Sequence, residues 1–513
     1  AIAIDASKVG APNIIVDLTD ADEDTVGGGK QTLDSTITKA DGKTIWIAKS
    51  VEDEADANDS DGTKLTITEA VDTADDTANI VLMNIGQDNH ATTDYFGIDE
   101  IDVATYEAVN ITANANALGT NKLNEVETLT ATNAKSVTVT GTGSLETVLA
   151  ATASKFTSFD ASGLAGALKL TAGAEKATYK LGASSSTLTM GSNLNASDTI
   201  VGGAGTADTV TATVTGLTAT TGALSIADVE KINLTTSGAN TLDMAGVTGK
   251  HTLAVTDNKQ TIKNFDLANT IQLGLAADAA ATSSEIDVTA ADATGTDDTL
   301  SVTVDNTAGN VSSIIDASNI ENLALKIVDD TQSVTLDMTT GEFNAISIAM
   351  KDATDNGAVD LGTLHKNTTS LTSGTIGAVT ASFANQVAPN GSAVTFSGLG
   401  TAVQTITGGA FGDTFTIGST GNITHVITGG AGTDTTNITV GAAFVNAGSI
   451  DTENVNMTVA SGADVSLTGA TFHSGVDAVV LTGGNSLSTF TSGTLHTNLK
   501  SFDASGFDGN VAL

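Results

Sequence analysis

Strand-like alternation, recurring along the whole length of the chain, most constrains what it can fold into. In KSVTVTGTG (135–143), DTVTATVTG (208–216), HTLAVTD (251–257), DTLSVTVDN (298–306) and QSVTLDM (332–338), apolar residues fall at every second position. A period of two sets those side chains on one face of a sheet. Gly, Asn, Asp and Ser separate the runs at short intervals, as turn residues do. Composition agrees: 86 of the 513 residues are Thr and 53 are Gly, against 2 Pro. Thr and Val favour strands, and strong helix formers are scarce. Only Thr93–Asp102 and Gly222–Lys231 read as short helix candidates.

Two internal repeats indicate stacked units, for which self-similarity is the sequence signature. One is an apolar residue followed by Asp-Ala-Ser, at Asp5, Asp160, Asp316 and Asp503, with spacings of 155, 156 and 187 residues. Its longest match sets SFDASGLAGALKL (158–170) against SFDASGFDGNVAL (501–513). The other is Glu followed by alternating apolar residues: EAVNI (107–111), ETLTA (127–131), EKINL (230–234), ENLAL (321–325) and ENVNM (453–457). This reads as the entry to a buried strand with a structural Glu at its exposed end. Each cycle is then a turn-plus-strand unit that buries its face only against its neighbours.

The expectation is an all-β, multi-domain chain of stacked short strands, as a β-sandwich or as parallel β-roll or β-helix-like modules, with Gly/Asp-rich calcium loops. The spacing suggests β-rich modules over 1–155, 156–315 and 316–500, with 501–513 opening a further repeat unit. Opening on one Asp-Ala-Ser unit and stopping just after another, the chain reads as a fragment of a longer protein.

Charge narrows the function. Asp plus Glu number 60 and Lys plus Arg 20, for a net charge of −40, and all 20 cations are Lys. Nucleic-acid binding and docking on anionic lipid both need basic surface, so both are excluded as expectations. Without a run of about 18 apolar residues, no membrane insertion is expected. Without Cys there is no disulfide, thiol nucleophile or thiolate metal site. So much uncompensated negative charge opposes compaction, and a hard cation such as Ca²⁺, which prefers carboxylate and carbonyl oxygen, relieves it.

The sharpest motifs are Gly-Gly-x-Gly-x-Asp loops. GGAGTD (429–434) is a clean copy, with Gly429, Gly430, Gly432 and Asp434. GGAFGD (408–413) keeps Gly408, Gly409 and Asp413. GGAGTAD (202–208) keeps Gly202, Gly203 and Gly205 but inserts a residue before Asp208. Asp198 lies just upstream in a similar context, and TGTDDTL (294–300) and EDTVGGG (23–29) are degenerate copies. Glycines allow the tight turn and bring carbonyls together, the Asp adds a carboxylate, and the apolar residue two positions on starts an inward-packing strand. An acidic stretch with Asp56, Asn58, Asp59 and Asp61 before Gly62, and Glu69 beyond, misses the EF-hand register and reads as a loose calcium loop or a solvated one.

No catalytic constellation accompanies these loops. The six His are isolated from one another, H-E-x-x-H and G-x-S-x-G are missing, and Gly42-Lys43-Thr44 lacks the upstream glycine of a phosphate loop. Carboxylates for glycoside hydrolysis abound, yet Trp46 is the only Trp and there are 3 Tyr to form a sugar platform.

The loops resemble the nonapeptide repeats of RTX proteins, and with the Thr-, Ala- and Gly-rich, Arg- and Cys-free composition the chain is similar to RTX-type bacterial surface-layer (S-layer) proteins exported by type I secretion. The resemblance implies calcium shared between successive coils at Asp198, Asp208, Asp413, Asp434 and their glycines. It further implies a self-assembled homo-oligomeric lattice on the surface of a Gram-negative bacterium, anchored to lipopolysaccharide through a region outside this segment. RTX nonapeptides usually run in tandem, whereas here they are isolated or paired, which limits the expected ions to one or two in each of two regions. Two other readings stay open: a secreted RTX adhesin or biofilm matrix protein, and the non-catalytic β-region of an RTX exoenzyme.

Overall fold

The computed structural model describes residues 2–17, 34–48, 64–83, 98–115, 123–150, 155–172, 176–215, 222–237, 240–256, 259–274, 284–292, 295–307, 310–328, 332–350, 358–373, 379–382, 395–399, 405–409, 412–419, 426–441, 444–445, 449–466, 471–472, 475–491 and 498–513. The chain divides into two compact units: 1–237 with 242–253, and 238–241 with 254–513.

In the first unit, successive strands alternate between two parallel sheets. One sheet runs from Ile2–Asp5 through Ser35–Thr38 and Lys64–Ile67 to Thr209–Thr215 and Lys231–Ser237. The other runs from Asn13–Asp17 through Thr44–Ala48 and Thr77–Met83 to Ser225–Ala227 and Gly246–Thr248. Each coil therefore gives one strand to each sheet, as in a parallel β-roll or β-helix. Every described pairing is parallel, so the sandwich form of the all-β expectation does not apply. Among the described residues the only helical element is the three-residue 3-10 turn Ala6–Lys8. The helix candidates fail: Ile98–Asp102, Ser225–Ala227 and Lys231–Ser237 are strands, because stacked strand partners outweigh weak local propensity.

In-register stacking turns the alternating pattern into continuous apolar columns. In the first unit, Ala78, Val109, Val137, Phe159, Tyr179, Ile200, Ile226 and Val247 occupy one register position in eight successive coils, all buried. The second unit is built alike, with strands such as Thr299–Val304, Asn322–Ile327 and Ala345–Met350 stacked in parallel. There Leu300, Leu323, Ile346 and Leu371 form one buried column. In its last coils a further sheet of short strands forms, in which Phe444–Val445, Val465–Ser466, Thr489–Thr491 and Asn510–Ala512 pair in sequence. On outward positions, like polar residues stack: Asn110 donates to Asn79 at 3.0 Å and Asn456 to Asn437 at 2.9 Å.

The Asp-Ala-Ser repeats lie inside these stacks. Strands Ser158–Leu164 and Ser501–Phe507 each carry a register shift at the motif, one extra residue against the neighbouring strand. Such a bulge needs local support. The Asp carboxylate provides it by accepting from the backbone N–H two residues on: Ser7, Ser162 and Ser505 donate at 3.1, 3.0 and 2.8 Å. Where a lysine stacks one coil away it closes the group, Lys39 on Asp5 at 2.9 Å and Lys180 on Asp160 at 2.8 Å. At Asp160 and Asp503 the repeat is thus a strand irregularity with its own side-chain brace, whereas Asp5 caps the 3-10 turn and Asp316 pairs without a register shift.

Two measurements test this account. Phe159 is fully buried in mid-column, so F159A is expected to cost about 3–5 kcal/mol of the first unit's unfolding free energy in urea. The Ser7 hydroxyl, then Lys39, hold the Asp5 carboxyl down at about 2. A depressed folded value contributes stability above the unfolded pKa, and that contribution is lost as pH falls through about 2. An NMR titration should find Asp5 at that low value, and S7A should raise it more than K39A.

Candidate metal-binding loops

The residue just before each strand has an N–H outside the sheet ladder, and a buried donor there needs an acceptor. At several coil corners the acceptor is a carboxylate from the next coil. In the first unit Ser186 N–H donates to Asp208 Oδ1 at 2.7 Å, and Asp208 N–H donates to Glu230 Oε2 at 2.7 Å. At the start of the other sheet, Asp76 N–H donates to Glu107 Oε2 and Ala177 N–H to Asp198 Oδ1, both at 3.1 Å. In the second unit Asp298 N–H meets Glu321 at 3.1 Å, Asp413 N–H meets Asp434 at 2.8 Å, and Asp434 N–H meets Glu453 at 2.7 Å. The loop Asp and the Glu of the Glu-apolar repeat are therefore one device, a charged acceptor that ties one coil to the next. The expectation that the Glu marks an exposed strand end is corrected: Glu107 is buried, and Glu230, Glu321 and Glu453 are half-buried beneath the preceding coil. Glu127 is different, lying within the strand Leu123–Thr130.

The three Gly-Asp loops share one construction. The first glycine N–H donates to a carbonyl one coil on: Gly202 to Ala227, Gly408 to Thr428 and Gly429 to Asp451, each at 2.8 Å. In two copies the second glycine N–H closes onto the loop's own Asp, Gly203 on Asp208 Oδ2 at 2.9 Å and Gly409 on Asp413 Oδ2 at 2.7 Å. A side chain at Gly203 would overlap the Gly182 carbonyl of the coil below, and one at Gly205 would press on the Asp208 carboxylate. Asp198, Asp208, Asp413 and Asp434 are all buried. Burial pushes the carboxyls of Asp198 and Asp208 up, against the pull of their N–H donors.

The loops differ in what they leave for a cation. Asp208 uses both oxygens on Ser186 and Gly203. Asp198 uses Oδ1 on Ala177 and Oδ2 on both the N–H and the side-chain amide of Asn195, each at 2.9 Å. The clean copy is the open one. Gly430 has φ +102, and a side chain there would overlap the Gly409 carbonyl of the preceding coil, which accepts from Ala431 N–H at 3.0 Å, while Gly432 has φ +129. Asp434 Oδ1 takes the Asp413 N–H, but Oδ2 is buried without a hydrogen-bond partner beside Gly429. Burial, with the charges of Glu453 and Asp413 adding to it, raises this carboxyl to about 6. A partnerless buried carboxylate oxygen is a donor that suits a hard cation. Asp298, in the degenerate copy 294–300, also has a buried Oδ2 without a partner. Asp56, Asp59 and Asp61 lie outside the described residues, as does the copy at 23–29. A carboxylate group that the motifs do not mark, Glu69 with Asp72 and Asp76, also comes together.

No family model matches the chain, and no curated protein or solved structure matches it.

The contrast between Asp208 and Asp434 is testable. D208N places an amide against two N–H donors, so it is expected to cost about 1–3 kcal/mol of first-unit stability with or without calcium. D434N is expected to lower the second unit's melting temperature only when calcium is present, as read by calorimetry with chelator and with excess ion.

Proposed function

We propose that this chain is a structural surface-layer protein that calcium assembles into a lattice coating a Gram-negative bacterium, after type I export, and that it performs no catalysis. The observation that carries the reading is the pair of Gly-Asp loops 408–413 and 429–434, stacked one coil apart, with Asp434 Oδ2 left as an available ligand. Asp434 is the residue that would hold an ion there, with Asp413 adding negative charge alongside. A bound Ca²⁺ supplies positive charge that the chain lacks.

The charge distribution supports the same reading. Lysines Lys39, Lys64, Lys135, Lys169, Lys180 and Lys500 reach carboxylates of the same chain, which leaves a large acidic surplus for neighbouring molecules to meet. Two such surfaces repel unless divalent ions lie between them. Binding free energy at the loops is also folding free energy, so a chain kept loose at low intracellular calcium would fold where calcium is plentiful. Attachment to lipopolysaccharide would need a region other than these residues.

Negative-stain imaging with calcium and after chelation tests the proposal. Two-dimensional or tubular arrays with calcium, dissolving in EDTA with a matching fall in light scattering, are expected. Monodisperse particles under both conditions, with an unchanged circular dichroism spectrum, would refute it and favour an adhesin or the β-region of an exoenzyme.

A further inference from the structure

The corner between strands Lys64–Ile67 and Thr77–Met83, in the first unit, gathers carboxylate oxygens from three side chains. One carboxylate oxygen each from Glu69, Asp72 and Asp76 lies within 4.8 Å of the others. Asp76 is fixed by Thr73, whose N–H and hydroxyl donate to it at 2.6 and 2.7 Å. Both oxygens of Glu69 are buried from solvent and form no well-aligned hydrogen bond, the Thr105 hydroxyl of the next coil being the donor beside them. The next coil's turn adds two more such oxygens, Thr105 Oγ1 and the Tyr106 hydroxyl. Tyr106 is 1% exposed, and after its burial the Glu69 charge acts on it most strongly. Thr105 sits close enough to Glu69 to lower its carboxyl, though burial dominates and raises it.

The surrounding charges do not neutralise the group. Asp41 of the preceding coil accepts from Ala70 N–H at 2.9 Å, and Glu107 of the next accepts from Asp76 N–H. The Lys135 amino group reaches the Ala74 carbonyl at 2.7 Å and Asp75 at 3.3 Å, and Lys43 donates to the carbonyls of Val9 and Ala11 at 2.8 Å. Among the described residues no lysine bridges to Glu69, Asp72 or Asp76. A buried carboxylate with no cation and only a threonine hydroxyl beside it is costly.

We propose that Glu69, Asp72 and Asp76 form a binding site for a calcium-sized divalent cation, with the Thr105 and Tyr106 hydroxyls facing it from the next coil. Hard oxygen donors are what such an ion takes, and a Glu with both oxygens available can bind it in bidentate fashion. Asp72 is exposed and gives the ion a path from solvent. The site joins two successive coils, and it depends neither on the Gly-Asp loops nor on lattice formation.

Tyr106 makes the site directly readable, because terbium occupies calcium's oxygen sites and emits when an adjacent tyrosine is excited. Terbium titration of the intact chain is expected to give saturable emission that calcium displaces. Y106F should abolish this emission while calcium still raises the first unit's melting temperature, and Y179F should leave the emission in place. E69Q should weaken terbium and calcium binding at this site by about tenfold or more. In chelator, E69Q should be at least as stable as wild type, since it removes a buried charge that no lysine neutralises, whereas a purely structural Glu69 would give a loss. Equal terbium emission in wild type and E69Q overturns the proposal, as does emission that survives Y106F. These readouts use dispersed protein, so they stand or fall separately from the imaging of arrays.

Discussion

A single coil of this chain cannot bury its own apolar face; it needs the coils above and below it. Each inward residue covers the equivalent residue one coil away, as in the column from Ala78 to Val247. Stability in such an array is a sum of nearest-neighbour terms. The same in-register stacking brings like side chains together at every other position. Apolar residues gain from that arrangement, Asn and Thr tolerate it by hydrogen bonding, and carboxylates need a separate solution.

The carboxylates meet that need in three ways. Some brace a turn or a bulge through the N–H two residues on and a lysine one coil away, as Asp5 and Asp160 do. Others accept the N–H that each coil corner leaves outside the ladder, as Asp208, Glu230, Glu321 and Glu453 do. Hydrogen bonds to a charged acceptor are worth more than neutral ones, about 1.5–3 kcal/mol each. The third group, Asp434 and Glu69, keeps buried oxygens that form no well-aligned hydrogen bond among the described residues. An acidic solenoid can thus use many of its carboxylates as internal fasteners while a few, such as Asp434, keep a buried oxygen without a partner among the described residues. Whether an Asp has both oxygens engaged is decided by which N–H groups its own loop and the neighbouring coil present.

Alternation, turn residues and the lack of helical periodicity determined that the chain is built of short strands. The five alternating runs all fold as strands, including Ser136–Gly141 and Thr299–Val304, because period two is a local property of extended backbone. The Asp-Ala-Ser and Glu-apolar repeats likewise signalled stacked equivalent units. That the strands pair in parallel, with each coil alternating between sheets, was settled only by the tertiary structure, since local pattern does not carry pairing direction. The site divides along the same line. The Gly-Asp loops could be read from their motif, but the closed state of Asp208 and the open state of Asp434 depend on contacts about twenty residues away in the neighbouring coil. Glu69, Asp72, Asp76 and Tyr106 carry no motif at all, because their meeting arises from the stacking of one corner on the next.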